Sequence, residues 1–480
     1  MSAQPIVTTS THTVRSANHA SLSQPGPSNS LGPLDQLVFP TVPVAVVFVY
    51  RAPDRGSEII PLDRLKSATS VLLDYYPHAA GRLHVRDRNG VREISRLNTG
   101  VNIYEARCVS PLSSTPSASG RIQLSDLPDG GNALLAPFEP SFEAICRDPI
   151  LTIQHTRFAC GSVALGVRAL HTVFDADGFF RLMRDLAEVY RTGTLAKPPH
   201  IRPYLAELLE DMTEEDRHAA LQFNPPLHSA RAEDIIRDLA TNPSTDAPPP
   251  PPATGRVLRF SSSALSALKA QATEPEGNSW VSTFDALSAH LWQRIYRART
   301  RLLLQEGRSP LGLSRDFLTS VNYRARLGVP PTSPFNCIMT PYTSLSHEAL
   351  TTAPLRRIAT TIHRLTRSVT PQEAEKTARW IAAQPDVRRI TWGFDARSGS
   401  TMISAWNKFD MYASTAFDAL PPALVAPPFT PISLVDGLGY LMPTGGEDGG
   451  GDQLDLYLAL SAPVWDILET DPEWRRFCSG

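Results

Sequence analysis

The stretch that most constrains this chain runs from Leu151 to Gly178, LTIQHTRFACGSVALGVRALHTVFDADG. It reads as two strands joined by a tight turn at Cys160-Gly161, the second spanning Ser162 to Leu170. Their apolar content marks buried strands. The second strand delivers His171 into a short loop, with Asp175 four residues later and Gly178 seven later, and an amphipathic helix is expected from about Phe179. A histidine held at the end of a buried strand, with a carboxylate one turn away, suits general-base chemistry.

At 480 residues the chain is too long for one ordinary core and is expected to form two domains. A hydrophobic content of 42%, 20% charged residues and a net charge of -2 describe a globular protein with no electrostatic case for nucleic acid or a membrane surface. The five cysteines (Cys108, Cys146, Cys160, Cys337 and Cys478) are scattered and form no CxxC pair, which points to reduced thiols and a cytoplasmic location rather than a disulfide framework or a structural zinc site. No charged start followed by an apolar run is present, and no window approaches the length of a spanning helix.

Residues 1–30 are rich in Ser, Thr, Asn, Gln and Pro and are expected to be a disordered N-terminal segment. Residues 31–240 form a first domain: a buried strand at Val42–Tyr50, a helix at Pro61–Tyr76, a hairpin around Asn89-Gly90, a Ser/Pro-rich loop at 109–120, the Leu151–Leu170 strand pair, a helix at Phe179–Tyr190 and a charged helical stretch at Ala206–Leu221. The segment 241–255, with five consecutive prolines at Pro248–Pro252, cannot be helix or central strand and reads as the crossover linker. Residues 256–480 form a second domain. Its expected elements are a strand at Arg256–Phe260, a helix at Ser262–Thr273, and a longer helix starting at Ser282 or Thr283. A strand over 316–326, helices over 346–366 and 371–383, a strand over 401–412, strands near 438–442 and 453–461 around GGEDGGG, and a final helix complete it. Alternating strands and helices give a mixed α/β fold.

Taken alone, HxxxD is weak: with twelve histidines, such a motif arises by chance in about half of all comparable chains. A metal site lacks a legible third ligand. No GxSxG elbow, GxxxxGK[ST] loop or strand-borne GxGxxG is present, and Cys160 and Ser162 lie in an apolar hairpin better explained by packing than by nucleophilic attack.

Several further elements occur in order along nearly the whole chain: LGPLDQL, YYPHAAGRL, RFACGSVALGVRALHTVFDADG, STFDALSAHLWQRIYRAR, VNYRARL…PP…FN and SAWNKFDMY. In these the chain resembles the BAHD-type acyl-CoA-dependent acyltransferases, especially the fungal branch with the trichothecene 3-O-acetyltransferases. The resemblance implies a two-domain chloramphenicol-acetyltransferase-like fold with a tunnel between the domains, entered by acyl-CoA from one face and by a small-molecule acceptor from the other. It implies an acyltransferase, with acetyl-CoA the default donor, a secondary-metabolite hydroxyl or amine as acceptor, no metal, and a monomer. His171 would be the general base, Asp175 would hold the loop by pairing with Arg324, and Gly178 would let backbone approach closely behind the site. Ser404, Trp406 and Asn407 lie in the element assigned to the CoA and oxyanion side.

One departure stands out. Where the family carries Asp-Phe-Gly-Trp-Gly, this chain has TAFDALPP: a gap-free reading sets Ala416, Phe417 and Asp418 against Asp, Phe and Gly, and a shift of two makes Asp418 the aspartate. Both glycines are absent, a change that bears on the CoA side more than on the chemistry. Two other readings are a catalytically impaired small-molecule-binding homologue and a condensation-domain-like catalyst using carrier-protein thioesters. The latter usually doubles the histidine, whereas Leu170 precedes His171 here.

Overall fold

A computed structural model describes residues 6–18, 29–54, 58–112, 121–231, 252–274, 280–394, 399–445 and 453–478. The strands of its two large sheets are, in chain order, β1 (Ile6–Val14), β2 (Pro43–Tyr50), β3 (Val101–Cys108), β4 (Leu151–Phe158), β5 (Val163–Leu170), β6 (Ala253–Phe260), β7 (Asp316–Thr319), β8 (Tyr342–Ser344), β9 (Thr401–Ala405), β10 (Leu424–Ala426), β11 (Leu438–Pro443) and β12 (Leu454–Ser461). The helices that matter below are α1 (Leu62–Tyr75), α2 (Ala176–Thr192) and α3 (Thr283–Gln305).

The first sheet has the order β1-β3-β4-β5-β2-β10 and is antiparallel except for the parallel β3/β4 pair. β4 and β5 are buried along most of their length, so their hairpin lies in the middle of the sheet, with β2 on the far side of β5. α1 and α2 cover one face through Leu65, Leu72, Phe179, Met183 and Leu186, all within one core cluster with β2 and β5. The second sheet has the order β6-β12-β11-β9-β7-β8, with β9 parallel to both β7 and β11. α3 supplies its core with Leu287, Leu291, Trp292, Ile295 and Tyr296. A capping box starts α3: the Asp285 N–H donates to Ser282 Oγ (3.1 Å), and the Ser282 N–H donates to Asp285 Oδ2 (2.8 Å).

Several sequence expectations are corrected. The segment expected to be disordered up to residue 30 contains β1, the outer strand of the first sheet; its Ser/Thr-rich composition reflects an edge strand wetted on one side, and Thr is at home in strands. Residues 1–5 and 19–28 lie outside the described residues, as do 113–120 of the Ser/Pro-rich loop, 232–240 at the end of the expected first domain, 241–251 of the linker and 446–451 of GGEDGGG. Ala253–Gly255, assigned to the linker, already belong to β6. The stretch 206–221 is one 3-10 turn (Ala206–Leu209) followed by a separate helix (Glu214–Leu221) that Thr213 caps. The strand over 316–326 ends at Asn322, so Arg324 sits in a turn, and the strand over 401–412 stops at Ala405. The helical region 346–366 is split by Ala353-Pro354.

After β9 the chain crosses back to the first half. Trp406, Met411, Phe417 and Leu424–Ala426 all join the first core, and β10 pairs with β2. A division by chain order at 241–255 leaves this return out. TAFDALPP makes the turn that leads into β10: Phe417 and Leu420 exchange backbone hydrogen bonds (3.2 and 2.8 Å) around a two-residue loop, with Asp418 at φ 48° and Ala419 at φ 61°. Two consecutive left-handed residues are what a tight hairpin needs. Phe417 is fully buried between Tyr50 and Tyr190 (ring centroids 5.6 and 5.0 Å). The Asp418 carboxylate accepts from Tyr190 Oη (3.0 Å), Arg64 Nη1 (2.8 Å) and the Ile60 N–H (2.7 Å).

His78, in the 3-10 turn after α1, is fully buried against Phe335 and Phe174, with ring centroids 4.8 and 5.3 Å apart. Neither ring nitrogen has a hydrogen-bond partner among the described residues, and burial pushes its pKa down to about 3.

Two predictions follow from these sites. Ala419 is exposed and left-handed, a conformation that costs a residue with a Cβ about 1 kcal/mol or more, so Ala419→Gly should raise the denaturation midpoint; an unchanged or lower midpoint would contradict the strained turn. His78 is held neutral by the fold, so its contribution to stability is complete above the ordinary histidine pKa of 6.5 and is lost as pH falls below it toward 3. His78→Phe should therefore shrink the loss of stability between pH 7 and pH 5 by ~2 kcal/mol, measured by denaturant titration at both values.

Candidate active site

β5 ends at Leu170, whose carbonyl accepts from both the Val173 and Phe174 N–H groups (2.9 and 3.1 Å) and so turns the chain sharply. Val173 and Phe174 are fully buried, which pins the loop while His171 remains half-buried at its start. The His171 N–H donates to the Val42 carbonyl at the foot of β2 (3.2 Å), and its Nδ1 is buried without a hydrogen-bond partner among the described residues.

Asp175 is the N-cap of α2, which begins at Ala176, three residues earlier than the periodicity implied. Its Oδ1 accepts from the Gly178 N–H (2.9 Å) and from Arg324 Nη2 (2.8 Å); its Oδ2 accepts from Arg324 Nη1 (2.8 Å) and from the Cys337 N–H (3.1 Å). The carboxylate is thus fully engaged, none of these donors being His171. Arg324 is equally saturated. Nε donates to the Ser333 carbonyl (3.1 Å), Nη2 also to the Phe335 carbonyl (2.5 Å), and Asp177 Oδ2 lies 3.6 Å from Nη1. Burial alone would depress the guanidinium pKa, but the adjoining Asp175 carboxylate overrides it and raises the pKa well above the ordinary value. A buried charge pair is tolerable only when its remaining hydrogen-bonding groups are satisfied in this way.

Gly178 sits in the first turn of α2 with the segment leading to Asn336 pressed against it. A Cβ built there would lie 1.9 Å from the Pro334 carbonyl oxygen, so only glycine fits. Cys337, beside Asp175, has its thiol pushed up to about 12 by burial, which leaves it a poor nucleophile.

Two residues that sequence reasoning did not single out complete the loop's support. Asp35, in a 3-10 turn at Pro33–Leu37, and Asn336 are both buried and joined across the halves of the chain. Asp35 Oδ1 accepts from the Asn336 N–H and from its Nδ2 (both 2.8 Å), while Asp35 Oδ2 accepts from the Gly32 N–H (2.7 Å). Asn336 Nδ2 in turn reaches the carbonyls of His171 (2.9 Å) and Thr172 (3.1 Å). Burial pushes the Asp35 pKa up to about 7 against the opposing pull of these N–H donors. Asp35 and Asn336 each lie inside a family-like element (LGPLDQL and PFN), but neither residue type carries a signal until the fold pairs them.

The other expected residues are placed as follows. Trp406 packs edge-on against Phe180 of α2 (5.5 Å between centroids) and near Tyr440 (4.7 Å), and its Nε1–H donates to Ser404 Oγ (3.1 Å). Asn407 is half-buried in the turn after β9. Asp418 is not brought to the histidine: it binds Tyr190, near the far end of α2, roughly 20 Å along the helix axis from Asp175. Cys160 and Ser162 lie at the opposite end of β5 from His171, roughly 30 Å away along the strand, which removes them as partners of the histidine.

The comparisons with known proteins bear on the family and the fold. The family model described as Transferase family matches residues 5–473. The oat (Avena sativa) hydroxycinnamoyl-CoA:5-hydroxyanthranilate N-hydroxycinnamoyltransferase HHT4 is 24% identical over 437 residues, covering 89% of this chain and 91% of its own. Rice (Oryza sativa subsp. japonica) hydroxycinnamoyltransferase 1 is 25% identical over 424 residues, 87% and 89% of the two chains. Among solved structures, F. graminearum TRI101 complexed with coenzyme A and deoxynivalenol shares the fold with a TM-score of 0.68 at 19% identity, over 95% of this chain and 99% of that one. Vinorine synthase does so with a TM-score of 0.66 at 18% identity, over 96% of each. Matched by the family model along nearly its whole length and folded as these proteins are, the chain belongs to the BAHD family and is an acyl-CoA-dependent acyltransferase acting on small-molecule acceptors.

Proposed function

We propose that the protein moves an acyl group, acetyl by default, from acyl-CoA to a hydroxyl or amine of a secondary-metabolite acceptor, with His171 as general base. The observation that carries this reading is the division of labour in HTVFDADG. Asp175 has every lone pair engaged in holding the loop, while half-buried His171 bears no side-chain partner among the described residues.

In the proposed reaction Nε2 of His171 takes the acceptor proton as the acceptor oxygen or nitrogen attacks the thioester carbonyl. A new C–O or C–N bond forms, the C–S bond breaks, and the CoA thiolate leaves with the proton returned from His171. The oxyanion of the tetrahedral intermediate needs hydrogen-bond donors, for which the segment holding Ser404, Trp406 and Asn407 is the proposed source, together with contacts to CoA. Transfer is direct: Cys337 is the thiol beside Asp175, and burial keeps it protonated. The body built on the first sheet, completed by β1 and by the return that carries Trp406, Phe417 and β10, and the body built on the second sheet are proposed to act as the two acyltransferase domains, with the reactants meeting in a tunnel between them. A monomer suffices for this chemistry because Asp35, Arg324 and Asn336 come from the same chain as His171. All five cysteines are free, which fits a reducing, cytoplasmic setting, and among the described residues no helix is long and apolar enough to cross a membrane.

The donor is open to direct test. Incubation with acetyl-CoA and with a hydroxycinnamoyl-CoA, each against a panel of hydroxylated and amine metabolites, should release free thiol in an acceptor-dependent way and faster with acetyl-CoA. Faster release from the hydroxycinnamoyl thioester would reverse the donor assignment, and no release from either would favour a binding protein.

His171→Ala should lower kcat by about a hundredfold or more, the scale of general-base catalysis, with an unchanged melting temperature; near-normal turnover would remove His171 from the chemistry. Asp175→Asn should reduce activity together with the melting temperature, because it strips the counter-charge from buried Arg324, a loss of about 3–5 kcal/mol. A fall in turnover with an unchanged melt would instead assign Asp175 a direct part in catalysis.

A further inference from the structure

We propose that Asp35 and Asn336 are positioning residues for the reaction: the Asn336 carboxamide, gripped by the Asp35 carboxylate, sets where the His171 main chain and hence its imidazole sit. This rests on the reading of His171 as general base.

One oxygen of Asp35 accepts from both the main-chain N–H and the side-chain Nδ2 of Asn336, each at 2.8 Å. Two contacts from one residue to one atom fix the orientation of the carboxamide, and the same Nδ2 is then turned onto the carbonyls of His171 (2.9 Å) and Thr172 (3.1 Å). Successive carbonyls drawn to one nitrogen cannot swing independently, so the peptide planes on both sides of Thr172 are tied together. The His171 N–H is held from the other side by the Val42 carbonyl (3.2 Å). The histidine is therefore fixed by its main chain, and its ring carries no side-chain tether among the described residues.

The Asp175–Arg324 pair does a different job, since it anchors the start of α2 and leaves the carbonyls of 171 and 172 alone. Chemistry also dictates the residue types. The centre of the relay must donate to carbonyls while bonded to a carboxylate, which an amide does and a second carboxylate cannot. Asp35 and Asn336 are both almost fully buried, so water does not compete for these bonds.

The test compares His171→Ala, Asn336→Ala and the exchanged double variant Asp35→Asn/Asn336→Asp, using acetyl-CoA and the acceptor found in the metabolite panel. Asn336→Ala should lower kcat on the order of 10- to 100-fold, the scale of an ångström-level misplacement, with KM for both substrates within about twofold of wild type. The exchanged variant keeps a buried amide–carboxylate pair but offers the His171 and Thr172 carbonyls no donor, so its kcat should stay as low. Recovery of kcat in it to near wild type, or loss in Asn336→Ala expressed in KM alone, would overturn the proposal in favour of a plain structural strut.

Modification by diethyl pyrocarbonate supplies a readout free of any acceptor. The rate at His171, mapped by peptide, should rise about fivefold or more in Asn336→Ala while exposed His84 and His218 react as in wild type, because only the local loop is released. Equal rates at His171 would overturn it as well, and a rise at all three histidines, the mark of global loosening, would count equally against it. If His171→Ala retains turnover, the general-base reading fails first; if it is inactive and Asn336→Ala is normal, only the positioning role fails.

Discussion

The buried pair between Asp175 and Arg324 is the contact on which the rest of the site depends. It joins the two halves of the chain at the first turn of α2, where a carboxylate also caps the helix and would be favoured by the helix dipole. Taking both charges out of water is costly, and the cost is offset only because every donor on the guanidinium finds an oxygen and every lone pair on the carboxylate finds an N–H. The segment that brings Arg324 also brings Pro334 against Gly178, Asn336 beneath His171 and Cys337 onto Asp175. One short run of the second half thereby clasps the whole loop from behind. The proposed base, His171, owes its place to buried groups of both halves of the chain.

The central hairpin and its turn were legible because each obeys a local rule, apolar strands and a Cys-Gly turn, whereas the cap that Asp175 gives α2 was not, since the helix was expected only from about Phe179. The α3 start was legible to within a residue, Ser282 or Thr283, because both are N-cap residue types, and the structure sets it at Ser282 with a capping box to Asp285. What local rules miss is pairing across distance. Asp35 and Asn336 are ordinary residues until the fold sets them 2.8 Å apart. β1 was misread because a half-wetted edge strand of threonines and serines has the composition of a disordered tail. Arg324 was placed at the end of a strand, yet the chain turns there because its guanidinium must reach inward to Asp175. In each case a tertiary demand outweighed the local pattern.

The loop TAFDALPP shows how a tight turn can be built without glycine. Instead of glycines, a left-handed Asp418 supplies both the turn and three hydrogen-bonded anchors, and Phe417 fills the space between two tyrosines. Asparagine and aspartate tolerate this backbone region better than most residues, so the strain falls mainly on Ala419. The loop remains a rigid lead-in to β10, far along α2 from the histidine.

That lead-in carries a consequence for biogenesis. β2, with the sequence PVAVVFVY, is covered on one side by β5 and on the other by β10, which the ribosome delivers more than 370 residues later. Until then a nascent chain can build the hairpin and seat β2 against it, but it carries an uncapped, strongly apolar ribbon of free N–H and C=O groups, the kind of edge on which chains aggregate. The segment that carries β10 is thus a folding partner of the first sheet, whose β2 edge is shielded from aggregation only once that segment has been made, and the two halves of this enzyme cannot mature as independent modules.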